Sequence, residues 1–292
     1  MKFYGQFEDQ VDRFIFERYF PDTNIRGTFV ECGAFDGLTE CSCKFFEETM
    51  DWTAYNLEPV PWIFERLQAN RPRSNNFNLG LSDKSGTASF QSVIHPKYGR
   101  QTTIGAIDHS PELKAALEAD GCTFEPVDIQ VLCWSDFIAK TGLKEIDLMV
   151  LDVEGHELAV LSGMQNSSVL PKVMCVEFGH AGFDRIREVM NSMGYEYDTN
   201  SHANAFFVRR EVLAAINLRH LAKPAASTTV EDAALIENLQ QRLADSEREI
   251  TNLSGRIDFL QKRETELVDL YDSIIGSKAW KLVQFFRRCV GR

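Results

Sequence analysis

Residues 1–210 are predicted to fold as a doubly wound α/β sheet of seven strands with helices on both faces, followed by a long α-helical coiled coil. Three observations carry this. Short β-rich runs alternate with segments of helical periodicity; a glycine turn, Glu31-Cys-Gly-Ala-Phe-Asp-Gly37, stands where the first run ends; and a heptad pattern takes over at Ile236.

In chain order, 9–20 has helical spacing, and the predicted sheet strands are 28–32, 53–58, 77–81, 147–152, 173–178, 195–198 and 205–208. Pro61 opens one intervening helix and Ser110-Pro111 another, and Gly194 closes a helix over 183–193. Two further strand-like runs, 87–93 and 127–133, flank a stretch with His95, Lys97, Tyr98, Arg100 and His109, read as an insertion over the site. A short helical piece after Arg210 reaches Leu221, and linker composition around Pro224 completes the segment 211–230.

Over 231–275 the a positions are Ile236, Leu243, Ile250, Ile257, Glu264 and Tyr271, and the d positions are Leu239, Ser246, Leu253, Leu260, Leu267 and Ile274. A pattern of this length makes a rod of about 60 Å at 1.5 Å per residue, which predicts a parallel homodimer. Residues 276–292 form a basic, aromatic tail with amphipathic spacing, expected to contact an acidic membrane surface or a membrane-bound partner.

Composition narrows the function. Hydrophobic residues make up 44% of the 292, with 21 Phe and 4 Trp, enough apolar surface for a packed core. A formal charge of −12 repels a phosphate backbone and argues against nucleic acid. Seven cysteines, odd in number and without a C-x-x-C pair, point to reduced thiols. The start lacks an apolar secretory core, and no apolar run approaches the ~18 residues of a membrane span. The expected setting is cytoplasmic, with a peripheral place at the inner face of the membrane compatible with the basic tail.

At the glycine turn, Gly33 and Gly37 allow close approach of a ligand, and a helix expected after Leu38 would offer unpaired amides. A dinucleotide site uses similar geometry, but its pyrophosphate wants no nearby anions. This turn carries Glu31 and Asp36 and has no Lys or Arg between Val30 and Cys43. S-adenosylmethionine, with an ammonium and a sulfonium, suits it better. Glu58, ending the next strand, stands where an acidic residue accepts ribose hydroxyls. Asn78-Leu-Gly-Leu-Ser-Asp83 follows the third strand and could set Leu81 and Ser82 against an adenine. The fourth strand runs into Asp152 and Glu154, two carboxylates suited to general-base work, ammonium binding or a metal site, while Glu154 or His156 could equally cap the next helix.

These motifs together resemble the FkbM-type methyltransferases. The likeness runs from Tyr4-Gly-Gln-Phe-Glu-Asp-Gln10 through the glycine turn, Asn56-Leu-Glu-Pro59 and Asn78-Leu-Gly-Leu-Ser-Asp83. It continues to Leu151-Asp-Val-Glu-Gly-His-Glu-Leu-Ala-Val-Leu-Ser-Gly163 and Val176-Glu-Phe-Gly-His180. The resemblance implies a Rossmann-like class I methyltransferase sheet, S-adenosylmethionine as cofactor and O-methylation of sugars or other small hydroxylated metabolites. Carried over motif by motif, Glu31, Gly33, Asp36, Gly37 and Glu58 become cofactor positions, and Asp152 and Glu154 site-edge acids. Cys32 and the Cys41-Ser-Cys43 pair depart from the family and are read as packing cysteines. The tail Ser277-Lys-Ala-Trp-Lys-Leu282 is similar to those of bacterial polysaccharide-assembly enzymes, which implies a role in surface polysaccharide synthesis.

The expected reaction is a displacement in which a substrate oxygen attacks the sulfonium methyl group, with Asp152, Glu154 or His180 removing the hydroxyl proton. A divalent ion beside Asp152 is compatible with the sequence, which offers no dense ligand cluster for it. Two other classes compete: a dinucleotide-dependent oxidoreductase or epimerase, lacking a third correctly spaced glycine, and a non-catalytic adaptor organising a polysaccharide-assembly complex.

Overall fold

The structure is a computed structural model and describes residues 1–5, 10–100, 102–107 and 109–222. The predicted coiled coil and the basic tail lie outside the described residues.

Strands β1 (Thr28–Cys32), β2 (Thr53–Leu57) and β3 (Asn75–Phe77) are joined through helices α2 (Lys44–Met50) and α3 (Pro61–Asn70), after an N-terminal α1 (Val11–Tyr19). The chain then forms β4 (Gly80–Ser82), β5 (Gly86–Ile94), α4 (Pro111–Ala119), β6 (Thr123–Cys133) and α5 (Trp134–Thr141). It returns to the main sheet with β7 (Leu148–Leu151), α6 (Glu157–Met164), β8 (Val173–Glu177), α7 (Phe183–Ser192), β9 (Tyr195–Ser201), β10 (Asn204–Arg209) and α8 (Arg210–Ala222). The main sheet has seven strands in the order β3-β2-β1-β7-β8-β10-β9. All its pairs are parallel except those of β10, which runs antiparallel to β8 and β9. The strand order reverses between β1 and β7. In such sheets the crevice beyond the carboxyl ends at that reversal is where ligands bind.

Alternation along the strands explains why helices cover both faces. Val30, Met149, Leu151, Met174, Val176, Ala205 and Phe207 point into one core with residues of α5, α6 and α7. Phe29, Leu148, Val150, Val173, Cys175, Phe206 and Val208 point into the other with α1 and α2. Central strands buried on both sides read as continuous apolar runs, which is how 147–152 and 173–178 were legible. Leu213 and Ile216 of α8 also enter the second core, so the compact unit extends to Ala222.

Two expectations are corrected. The run 77–81 is not one strand: it divides into β3 of the main sheet and β4 of a second, three-stranded sheet ordered β4-β6-β5. Between them the Asn78 amide donates to the carbonyls of Glu58 (3.0 Å) and Pro59 (2.9 Å), which turns the chain off the main sheet. The helix expected after Leu38 begins only at Lys44. The amides of Leu38 and Thr39 are taken by the Asp36 carboxylate instead, at 3.0 and 2.8 Å. Among the described residues no helix is long and apolar enough to cross a membrane.

Candidate functional site

At the reversal, β1 ends on Gly33, with φ +84°. A Cβ added there would lie 1.8 Å from the carbonyl oxygen of Asp152. Only a glycine lets the turn after β1 and the end of β7 touch, and this contact forms the floor of the cleft. Gly37 (φ +72°) serves packing: a Cβ there would meet Leu67 and Arg71 at 2.7 and 2.6 Å. Phe35, Glu40 and Glu154 hold left-handed backbone without being glycine, and all three line the cleft. Such conformations concentrate at functional sites because the surrounding fold must enforce them.

The cleft opens to solvent, with about 1050 Å³ of empty space when its mouth is included. Gly33, Glu58, Leu81, Asp152 and Glu154, all expected from the sequence, line it. Glu40, His156 and the second-sheet region, with Phe90, Ser92, Thr102, Thr103 and Ile107, complete the wall. The stretch between β5 and α4 therefore does stand over the site. None of the described lining residues is Lys or Arg. Four carboxyl groups, those of Glu40, Glu58, Asp152 and Glu154, face this one space. Burial, reinforced by Glu177, Glu157, Glu40 and Glu31, pushes the Asp152 carboxyl up to about 7. Burial and then Asp152 raise Glu154 to about 8. Glu58, 5% exposed and accepting the Val60 amide at 2.8 Å, is raised to about 8 by burial.

The remaining expected residues take different places. Glu31 does not line the cleft. Its buried carboxylate accepts from the Ser42 amide at 3.1 Å, sits 3.5 Å from Cys41 Sγ and pairs with Arg71 at 3.5 Å. Arg71, itself fully buried, also pairs with Glu47. This triad fastens the 38–43 loop to the sheet edge. Asp36 lies in an adjoining, shallower cavity, committed to the two loop amides and to Arg66 Nη2 at 2.8 Å. Ser82 Oγ, beside the lining residue Leu81, is 3.0 Å from His156 Nε2. His180 lies outside the lining, but its Nε2 is 3.2 Å from Glu154 Oε2.

Sequence reasoning passed over Glu157. Its Oε1 accepts the amides of Val153 and Gly155 at 3.0 and 3.1 Å, which precede α6 and tie down the loop after β7, while His156 stands at the N-cap position of α6 without a side-chain cap hydrogen bond. The signal was present in the glutamate opening the helix after Gly155-His156. Glu40 and Arg71 had no local signal, because only the fold brings them to the turn. Cys32, Cys41 and Cys43 are buried, and burial raises all three thiols. Cys32 and Cys43 pack in the two cores as expected, whereas Cys41 Sγ sits in the charge network, 3.1 Å from Arg71 Nη1. Among the described residues no group of three His, Cys, Asp or Glu side chains is placed to hold a metal ion.

The charge pattern can be set against S-adenosylmethionine directly. A carboxylate-lined cleft without Lys or Arg matches an ammonium and a sulfonium and opposes a pyrophosphate. The buried Glu58 carboxyl at the end of β2 is placed to accept hydroxyls, and Leu81 supplies apolar wall for a base. The residues present fit the group.

The chain is similar to the hexuronic acid methyltransferase AglP of Haloferax volcanii, 30% identical over 131 residues, covering 44% of this chain and 48% of that protein. It thus spans about half the length of that relative. Among solved structures, the methyltransferase FkbM of Methylobacillus flagellatus aligns over 63% of this chain and 44% of that one, with 13% identity and a TM-score of 0.39. A ribosomal protein L11 methylase of Lactobacillus delbrueckii subsp. bulgaricus aligns over 68% and 75%, with 10% identity and a TM-score of 0.34. The model of the methyltransferase FkbM domain matches residues 31–197, more than half of the chain, and the protein belongs to the FkbM methyltransferase family.

Proposed function

We propose that the chain is an S-adenosylmethionine-dependent O-methyltransferase acting on a hydroxyl of a sugar, glycan or related small metabolite. The observation that carries this reading is the cleft at the strand-order reversal, walled by Glu40, Glu58, Asp152 and Glu154 with no Lys or Arg among its described lining residues. The hexuronic acid named for the Haloferax relative supports a sugar acceptor.

In this reading Glu58 accepts the ribose hydroxyls, Leu81 and Ser82 border the adenine, and the acids near Gly33 face the cationic end. Bound there, S-adenosylmethionine supplies a methyl group on positively charged sulfur, already activated for displacement by an oxygen. The protein must orient the acceptor and take its proton. Asp152 is the proposed base: it lies at the end of β7 on the cleft wall, and a carboxyl that titrates near 7 both holds and releases a proton at working pH. Glu154, paired with the half-exposed His180, is placed to pass a proton towards solvent. The wall residues Phe90, Ile107 and Ile129 exclude water from the acceptor side.

A cytoplasmic setting, a role in surface polysaccharide synthesis, a homodimer and a membrane or assembly partner belong to the same proposal. The heptads support the homodimer, the tail and its resemblance support the polysaccharide role and the membrane or assembly partner, and the cysteine usage supports the cytoplasmic setting. The test is methyl transfer from isotopically labelled S-adenosylmethionine to a panel of mono- and oligosaccharides, with the product located by NMR. An O-methyl ether is the expected product. Label on nitrogen or carbon, or none on any hydroxyl acceptor despite cofactor binding, would contradict the proposal.

A further inference from the structure

The acid-lined cleft raises a problem for the sugar named for the relative, because an anionic acceptor is repelled from the space that suits a cationic donor. The second cavity resolves it. It holds about 700 Å³ and shares Phe35, Thr39, Thr102 and Thr103 with the first, so the two adjoin across those residues. Its own wall carries Arg66, His95 and Tyr98. Among the described residues lining the two cavities, Arg66 is the only Lys or Arg. The cationic group thus lies on one side of the shared wall, paired with the buried Asp36, while Glu40, Glu58, Asp152 and Glu154 lie on the other.

We propose that this second cavity is the acceptor subsite for an acidic pyranose, with Arg66 receiving the sugar carboxylate and Tyr98 stacking on the ring. The inference rests on the sugar O-methyltransferase reading above and deepens it. A guanidinium has five donors in a planar fork suited to a carboxylate, and Arg66 commits Nη2 to Asp36 while its side chain stays 41% exposed. Asp36 in turn is saturated by the Leu38 and Thr39 amides and the Thr39 hydroxyl, which fix the carboxylate that Arg66 pairs with. Tyr98 is 56% exposed, unusual for a large ring, and stacks on His95 with centroids 4.7 Å apart. His95 is held in place by accepting the amides of Lys97 (3.0 Å) and Tyr98 (3.3 Å) at Nδ1. An exposed, preorganised aromatic face beside threonine hydroxyls and an arginine has the parts needed for a pyranose: C–H groups against the ring, hydroxyls to Thr102 and Thr103, carboxylate to the fork.

The test is calorimetric titration of the full chain with methyl glucuronide, methyl galacturonide, the matching neutral methyl glycosides and glucose 6-phosphate, alongside a separate titration with S-adenosylmethionine. A uronide preference of tenfold or more over the neutral glycoside is expected. Arg66→Gln should erase the preference, and Tyr98→Ala should weaken uronide and neutral glycoside by a similar factor. Tyr98 is on the surface, so that variant tests the subsite even if Arg66→Gln fails to fold. Equal affinity for uronide and glycoside, a preference that survives in Arg66→Gln, or tighter binding of the phosphate ester would overturn the proposal. Sugar methylation without charge preference would sink the subsite and leave the methyltransferase reading standing. A uronide preference without methyl transfer would do the reverse.

Discussion

Asp152 and Glu58 carry opposite parts of the proposed chemistry, and their variants should separate. Asp152→Asn keeps the shape but cannot take a proton, so turnover should fall by about a hundredfold, within the usual range for general-base loss, while affinity for S-adenosylmethionine falls by a smaller factor. In the wild type the rate should rise with pH through about 7 as Asp152 ionises. A wild-type rate in Asp152→Asn under single-turnover conditions would remove it from the role of base. Glu58→Ala should weaken cofactor binding tenfold or more, since it removes a charge-assisted contact worth about 1.5–3 kcal/mol. Both carboxyls were legible in the sequence because each ends an apolar strand. Glu31, expected at the cofactor from the glycine turn and the resemblance, has its side chain on the buried Arg71, which nothing nearby in sequence announces.

At the scale of elements, the turn after β1 is held by a buried charge network that sequence patterns do not display. Removing Arg71 as Arg71→Met would leave the buried Glu31 and Glu47 carboxylates without their cation, and denaturant unfolding should show a loss of roughly 3–5 kcal/mol. A loss under about 1 kcal/mol would mean the triad does not hold the loop. The cleft acids predict a pH dependence of stability for the ligand-free protein. Unfolded carboxyls titrate near 4, whereas Glu58, Asp152 and Glu154 do so at about 7–8 in the fold. Between those values the folded chain binds more protons, so these groups favour folding fully below about 4 and lose that contribution as pH rises to about 8. The melting temperature should therefore drop on going from mildly acid to mildly alkaline buffer, and drop less in Glu58→Gln. Periodicity gave the strands and most helices. It could not give the break at Asn78, whose side chain bonds backbone on the far side of α3, or the delayed start of α2, where the Asp36 carboxylate takes the amides of Leu38 and Thr39, because apolar periodicity does not register side-chain bonds to backbone.

For the whole molecule, the legible part of the architecture is the alternation that sorts Val30 and Phe29, or Met149 and Leu148, to opposite cores. The proposed acceptor side was legible as an insertion over the site between two extra strands but not in its shape, since a loop's shape is set by what it packs on. The heptads predict a parallel dimer, with Arg242 at a g position meeting Glu247 at the partner chain's following e position. Light scattering should give a dimer for the full chain and a monomer for a chain stopped at Ala222; a monomeric full chain at micromolar concentration would refute it. The central claim is that the cleft takes a cationic methyl donor. Calorimetric titration with S-adenosylmethionine, in two buffers of different ionisation enthalpy near neutral pH, tests it most directly. Binding with net proton release is predicted, because a cation favours the ionised forms of Asp152, Glu154 and Glu58, while a nicotinamide dinucleotide should give no heat of binding. Dinucleotide binding with none of S-adenosylmethionine, or S-adenosylmethionine binding unchanged in Glu58→Ala and without proton release, would contradict the account.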